Sequence, residues 1–414
     1  MVSAATATPE HAADGMGRDG RVTVGLLVLC QVAHFLTFAA IPLLLPLIRE
    51  DLGLSFTQAG ALSAAAMMSY ALAQIPAGYL SDRYGPKRLF FIGLTAWSAL
   101  CVAFGFTRAF WPALAILFVA GAFRALHFAP GLALLAAWFP AQRRATAMSL
   151  FLLGGATGSV LLSLVGPILV EREGWRPAFV GFALIGLAAA AAFGALARDR
   201  SRPEKAARPA VSEMMGIARF PILWACSGLQ FVRFATVMGF NFWLPSFLIA
   251  DRGFSLPAAG LVMAMSAVLS APSNTLGAYV SDRLRNPPLV IGGSLAILSC
   301  AAALLPVVES APALIAVIAV YSVFLGFYFG PLFLVPVEVL GTRVAGTAIG
   351  FGNLFANLGG FTAVYALGAI RDGAGSFRWG FAAISAACGA GVVLAWLLSR
   401  MRSRAPARQG LVTK

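Results

Sequence analysis

The chain has 414 residues, 60% hydrophobic and 11% charged, with a mean hydropathy of +0.85 and a formal net charge of +14. A soluble domain carries about 25% charged residues, so intrinsic disorder, a secreted disulfide scaffold and an ordinary cytosolic enzyme are excluded. At about 20 apolar residues per crossing, the hydrophobic content is enough for roughly a dozen membrane spans.

Residues 1–21 are polar and mixed in charge, with Glu10, His11, Asp14 and Asp19. They lack the basic start and small-residue cleavage site of a signal peptide and read as a cytoplasmic tail. Apolar runs then predict helices over 22–48, 59–80, 89–107, 112–138, 146–170 and 178–197. The polar stretch from Arg198 to Arg219, with Pro203 and Pro209, reads as a linker over 198–219. It separates an N-terminal bundle (22–197) from a C-terminal bundle (220–399). The second bundle holds spans over 221–249, 258–280, 289–308, 313–336, 344–370 and 379–399, and a basic tail follows at 400–414. The fold class is an all-α membrane protein of twelve helices in two six-helix bundles.

The five cysteines lie inside apolar runs without CxxC spacing, so neither a disulfide framework nor a zinc site is suggested. Of the 30 Lys and Arg, 21 fall on the side that holds both termini and 7 in the opposite loops. The positive-inside rule therefore places both termini in the cytoplasm, at a plasma or inner membrane. The basic balance reflects topology and anionic lipid, and implies no nucleic-acid partner.

The two bundles repeat. Gln31, His34, Phe35 and Thr37 are matched by Gln230, Arg233, Phe234 and Thr236, 199 positions on. Tyr79-Leu-Ser81-Asp82-Arg83 returns as Tyr279-Val-Ser281-Asp282-Arg283, 200 on, and Phe123, Phe128 and Pro130 return as Phe324, Phe329 and Pro331, 201 on. Trp175-Arg176 returns as Phe377-Arg378. Parallel repeats of this kind occur in transporters that hold substrate at the repeat interface, near the bilayer midplane.

The loop after the second span reads Gly78-Tyr-Leu-Ser-Asp82-Arg83-Tyr-Gly85-Pro-Lys87-Arg88. It resembles the signature of the major facilitator superfamily, and with the repeat the resemblance covers nearly the whole chain. The resemblance implies a rocker-switch carrier with helices 1, 4, 7 and 10 around a central cavity, and a cytoplasmic latch at this loop. The residues themselves fit: Gly78 allows close packing, Gly85 a tight turn, and Asp82 sits among Arg83, Lys87 and Arg88. The second copy departs from the pattern, with Leu284 in place of the glycine and Pro287-Pro288 following.

All sixteen acidic residues fall in tails, loops or span ends, Glu338 coming nearest to an exception. The interior nevertheless holds Arg124 and His127 in the fourth span, Arg233 in the seventh and His34 in the first. Arg124 is about 18 Å from either end of its helix, too far to snorkel. A central arginine costs at least about 2.5–3.5 kcal/mol on insertion scales. Two readings stand: an anion-binding cavity, or arginines satisfied structurally by carbonyls and amides. Position favours the cavity. His34 and Arg233 are repeat equivalents, His127 corresponds to Tyr328, and Gln31, Gln230, Thr37 and Thr236 continue the polar stripes. The expected substrate site is thus Arg124, Arg233, His34, His127, Tyr328, Gln31 and Gln230, with His34 and then His127 as proton-coupling candidates.

Other polar features have blander readings. Gln74 and Asn274 fit interhelical hydrogen bonding, Asn353 and Asn357 either lining or helix glue, and Gly154, Gly155 and Gly158 close packing. The nitrate/nitrite subgroup of the superfamily carries arginines on spans 2 and 8, which hold none here. Trp138-Phe139-Pro140 with Arg143-Arg144 is similar to organic-anion and cyanate-type members. The expectation is a monomeric secondary carrier, working by alternating access on a small organic or inorganic anion. Proton coupling is allowed for, and no cofactor, metal or catalytic residue is expected. The alternative is a multidrug efflux antiporter, which normally wants a membrane carboxylate.

Overall fold

The computed structural model describes residues 17–139, 144–199, 219–332, 335 and 345–404, with the backbone alone at 75, 82, 144–147, 345–349 and 402–404. Residues 1–16, most of the linker, Pro140, Arg143, Glu338 and the end of the basic tail lie outside the described residues. Among those described there is no strand. The first six helices are α1 (Arg18–Asp51), α2 (Phe56–Tyr84), α3 (Pro86–Gly105), α4 (Phe110–Ala136), α5 (Arg144–Glu173) and α6 (Trp175–Leu196). The second six are α7 (Pro221–Ala250), α8 (Leu256–Leu284), α9 (Pro287–Leu304), α10 (Ala311–Phe327), α11 (Ala345–Ala374) and α12 (Arg378–Arg404). Eleven of the twelve are long and apolar enough to cross a membrane, and α2, at 29 residues, has the length of its neighbours. This is a multi-pass membrane protein.

Helix ends follow local chemistry more than hydropathy. α2 begins at Phe56, three residues before the apolar run, because Ser55 and Gln58 form a reciprocal capping box. Ser255 caps α8 by accepting the Ala258 N–H, without the reciprocal half of the box, because alanine has no side-chain acceptor. α2 stops at Gly85, whose φ of +86° suits glycine, and Pro86 starts α3. In the second copy the left-handed residue is Arg285 (φ +51°), not Leu284. The repeat register therefore puts Arg285, rather than Leu284, opposite Gly85, and a non-glycine residue bears the strain of that turn.

α10 also differs from the single span read over 313–336. It ends at Phe327, Tyr328 leaves helical geometry, and the helix resumes at Phe329. Pro331 has no N–H to give the Phe327 carbonyl four residues back. That carbonyl presses on Gly277 of α8, where any Cβ would overlap it.

Within the first half, α1 packs on α5 and α6, α3 on α4 and α6, and α2 on α4. Gly154, Gly155 and Gly158 bring α5 onto Val28, Val32 and Phe35 of α1. In the second half α7 packs on α11 and α12, α9 on α12, and α8 on α10. The halves join through α2 with α11, α5 with α8, and α1 with α7. Small residues allow these approaches: Gly60 and Gly368 join α2 to α11, and Gly260 meets Ser163 of α5. All three sit toward the end of the bundle away from the chain termini.

Candidate functional site

α1 presents Gln31, His34 and Thr37 to the interior of the first half, all 3% exposed or less. His127 of α4, 1% exposed, meets them there. Its Nε2 lies 2.7 Å from Gln31 Oε1, and because a carboxamide oxygen only accepts, Nε2 carries the proton. The His34 and His127 rings stack with centroids 4.5 Å apart. Phe90 stacks on His127 at 4.5 Å and Trp97 lies 5.0 Å from His34. The Trp97 indole N–H donates to Thr37 Oγ1 at 2.8 Å, and that hydroxyl donates to the His34 carbonyl at 3.0 Å. Nδ1 of each histidine is buried without a partner.

Arg124, three residues before His127, turns another way. Its Cζ lies 4.1 Å from the centre of Phe38 (α1) and 4.5 Å from that of Tyr70 (α2). Phe38 also runs parallel to His34 at 6.1 Å. One run of contacts therefore joins Phe90, His127, His34, Phe38, Arg124 and Tyr70.

The second half holds Arg233 at 7% exposure. Its Nε donates to Gln230 Oε1 at 2.7 Å, and its Cζ lies 4.8 Å from the centre of Phe329. Tyr328 is fully buried, its hydroxyl has no partner, and Arg233 and Cys388 are its electrostatic neighbours. Gln31 and Gln230 thus play matched roles with different donors, an imidazole from α4 in one half and a guanidinium from the same helix in the other. The structure gathers Gln31, His34 and His127 into one cluster and Gln230, Arg233 and Tyr328 into another, with Arg124 beside the first. Phe38, Tyr70, Trp97 and Phe329 complete these clusters. The repeat marked Phe329 as a counterpart of Phe128, and Phe38 lies one turn beyond His34, but hydropathy alone ranks such rings with lipid-facing ones.

The loop after α2 binds within its own half. Lys87 Nζ donates to the Ala197 carbonyl at 2.6 Å, placing a cation at the C-terminus of α6. Gly78 faces open space, Arg83 lies over its neighbour Tyr84 at 5.4 Å, and Arg88 is exposed. The Asp82 side chain lies outside the described atoms.

Two six-helix halves, each with a buried polar cluster, is an architecture with known relatives. The model of the Major Facilitator Superfamily matches residues 27–364. The chain belongs to this superfamily. As a member it is a secondary membrane transporter that works by alternating access. It is 25% identical over 396 residues to "Probable sulfoacetate transporter SauU" of Cupriavidus necator, covering 89% of this chain and 91% of the relative. It is 26% identical over 405 residues to "Nitrite extrusion protein" of Bacillus subtilis, covering 92% and 96%. Among solved structures, the inward-facing, unoccupied bacterial homolog of the human lysosomal transporter Spinster superposes with a TM-score of 0.79 at 18% identity. That match covers 96% of this chain and 100% of the other, and shows the shared fold.

Proposed function

We propose that this superfamily member carries a small organic or inorganic anion, held between Arg124 of the first half and Arg233 of the second. One observation carries the reading: the arginines sit mid-helix, and the chain places all sixteen carboxylates in tails, loops or span ends. A structural ion pair at that depth therefore has no carboxylate to draw on, whereas an anion would offset the charge. The relatives add weight, since one is named for an organic sulfonate-carboxylate and another for nitrite. Likeness to the nitrite relative coexists with spans 2 and 8 that hold no arginine, so this chain would grip its anion from α4 and α7. A multidrug antiporter finds no support in a site without a membrane carboxylate.

The same reading makes 22–197 and 220–399 the two moving bodies and 198–219 their linker. It places a monomer in the inner membrane with both termini in the cytoplasm, following the positive-inside rule, and makes the Gly78–Arg88 loop the cytoplasmic latch. The test is equilibrium binding of sulfoacetate, glucuronate and nitrite to the purified protein, with lipophilic cations as the contrast. Binding confined to the cations would overturn the reading.

A further inference from the structure

Both arginines lie over aromatic rings, but they differ in their hydrogen bonding. Arg233 is 7% exposed and commits its Nε to Gln230. Among the described residues no acceptor or carboxylate takes a hydrogen bond from Arg124, yet none of its nitrogens is sealed in without a partner. Its N–H donors are therefore not spent on a protein acceptor. Two rings hold it, Phe38 at 4.1 Å and Tyr70 at 4.5 Å from Cζ. Gly121, three residues before Arg124, explains the second contact. It lets α4 press on α2 at Ala66 and Ser69, where a Cβ would overlap the Ala66 carbonyl, and Tyr70 is the next residue.

A ring attracts a guanidinium through its face and uses none of the N–H donors. Held by rings and by no protein acceptor, the fork keeps its N–H donors unspent, and the edge of a guanidinium matches a planar oxyanion two bonds at a time. We propose that Phe38 and Tyr70 are positioning residues that hold the Arg124 guanidinium and aim its donor edge at the planar carboxylate or nitrite group of the substrate. This rests on the anion reading above. The Tyr70 hydroxyl has no part in it.

The experiment has two readouts on the purified, full-length protein. The first is binding of sulfoacetate, glucuronate and nitrite. Phe38→Leu and Tyr70→Leu should each weaken binding roughly three- to thirtyfold, the range of a desolvated cation–π contact. Tyr70→Phe should stay within about twofold of wild type. The second readout needs no substrate: melting temperatures of Arg124→Met, Tyr70→Leu and the double variant. Because the ring and the cation stabilise each other, the double variant should lose less than the two single losses added together. Additive losses overturn the grip. Leucine variants that bind like wild type overturn the positioning role, and so does a Tyr70→Phe variant as weak as Tyr70→Leu. If wild type binds none of the three anions, the anion reading falls and the positioning role with it, while the melting cycle still reports the grip separately. Phe38 and Tyr70 are replaced independently, so a variant that fails to fold leaves the other to decide.

Discussion

Asp372, near the end of α11, caps the first turn of α2 in the opposite half. Its Oδ1 accepts the Phe56 N–H at 2.9 Å, and its Oδ2 accepts the Thr57 N–H at 2.7 Å and the Thr57 hydroxyl at 2.6 Å. The first N–H groups of a helix have no intrahelical acceptor and carry the positive end of its dipole. Ser55 and Gln58 supply two acceptors from within the turn itself, for the Gln58 and Ser55 N–H groups, and Asp372 supplies the two for Phe56 and Thr57 from across the interface. Arg49 and Arg371 flank the same point, 4.3 and 4.9 Å from the centre of the Phe56 ring, and Arg371 pairs with Asp251 at 3.0 Å. This knot closes the end of the bundle away from the termini. Alternating access has to part that end, so the cap must break and re-form in every cycle.

Asp372→Ala should therefore shift the protein toward the state open at that end while leaving Arg124 and Arg233 untouched. Loss of a helix cap costs about 0.5–2 kcal/mol, and the exposed carboxylate argues for the lower half of that range. A shift of roughly two- to fivefold in the equilibrium follows. Asp372→Asn, still a good cap, should shift it less. Spin labels at Arg108 and Glu309, exposed loop residues of opposite halves at this end, would report longer separations in the Ala variant. Unchanged distance distributions would rule the cap out as a conformational lock.

The break in α10 predicts a cost at a residue with no chemistry. Gly277→Ala drives a methyl group into the freed Phe327 carbonyl, and overpacking of that kind costs about 1–3 kcal/mol. Gly293→Ala, also inside a helix but facing nothing within 4 Å, should be neutral or slightly stabilising. Thermal inactivation in detergent would compare them. Equal melting temperatures for the two variants would show that the carbonyl can move aside freely.

How far the sequence could be read divides along physical lines. Helix number and the matching of the two halves were legible because membrane spans need long apolar runs and because the repeat places Tyr79 with Tyr279 and Phe123 with Phe324 at a nearly constant offset, whereas the turn residue opposite Gly85 was misplaced by one, at Leu284 instead of Arg285. The rotation of each helix was not. Repeat alignment sets His34 beside Arg233, but whether a side chain meets its own helix or a neighbour depends on packing. Gln31 bonds His127 of α4, whereas Gln230 bonds Arg233 on its own helix. Phe38 and Tyr70 were hidden because an aromatic ring in an apolar run looks alike whether it faces lipid or a guanidinium. The α10 break was encoded in Pro331, but Pro130 at the matching place lies inside an unbroken α4, so proline alone did not decide it.

Substitution of the arginines tests the proposed site directly. Arg124→Gln and Arg233→Gln should each weaken anion binding by about 1.5–3 kcal/mol, the scale of a hydrogen bond to a charged group. Arg124→Lys should rescue poorly, because an ammonium cannot present a planar fork between two rings. Calorimetric titration with sulfoacetate would measure all three. A double Gln variant that binds as well as wild type would remove both residues from the site.

The histidine pair bears on energy coupling. A proton-driven carrier needs a group that gains and loses a proton during the cycle. The span interiors offer no carboxylate at midplane depth, and arginine stays protonated. Imidazole, with an unperturbed pKa of about 6.5, is suited to the task. With ring centroids 4.5 Å apart, His34 and His127 repel one another when both are charged, so the pair takes one proton at a time. Arg124 is an electrostatic neighbour of both. An anion arriving at Arg124 offsets that charge and favours protonation of the pair, and by reciprocity a protonated pair favours the anion. Positive coupling of this kind is what symport requires. His34→Gln and His127→Gln should each reduce, and together abolish, uphill uptake of sulfoacetate into proteoliposomes under an imposed pH gradient. Exchange of labelled for unlabelled sulfoacetate without a gradient should persist in both. Accumulation driven by the gradient in the double variant would assign coupling elsewhere, and uptake indifferent to the gradient in wild type would make the protein an exchanger or a facilitator.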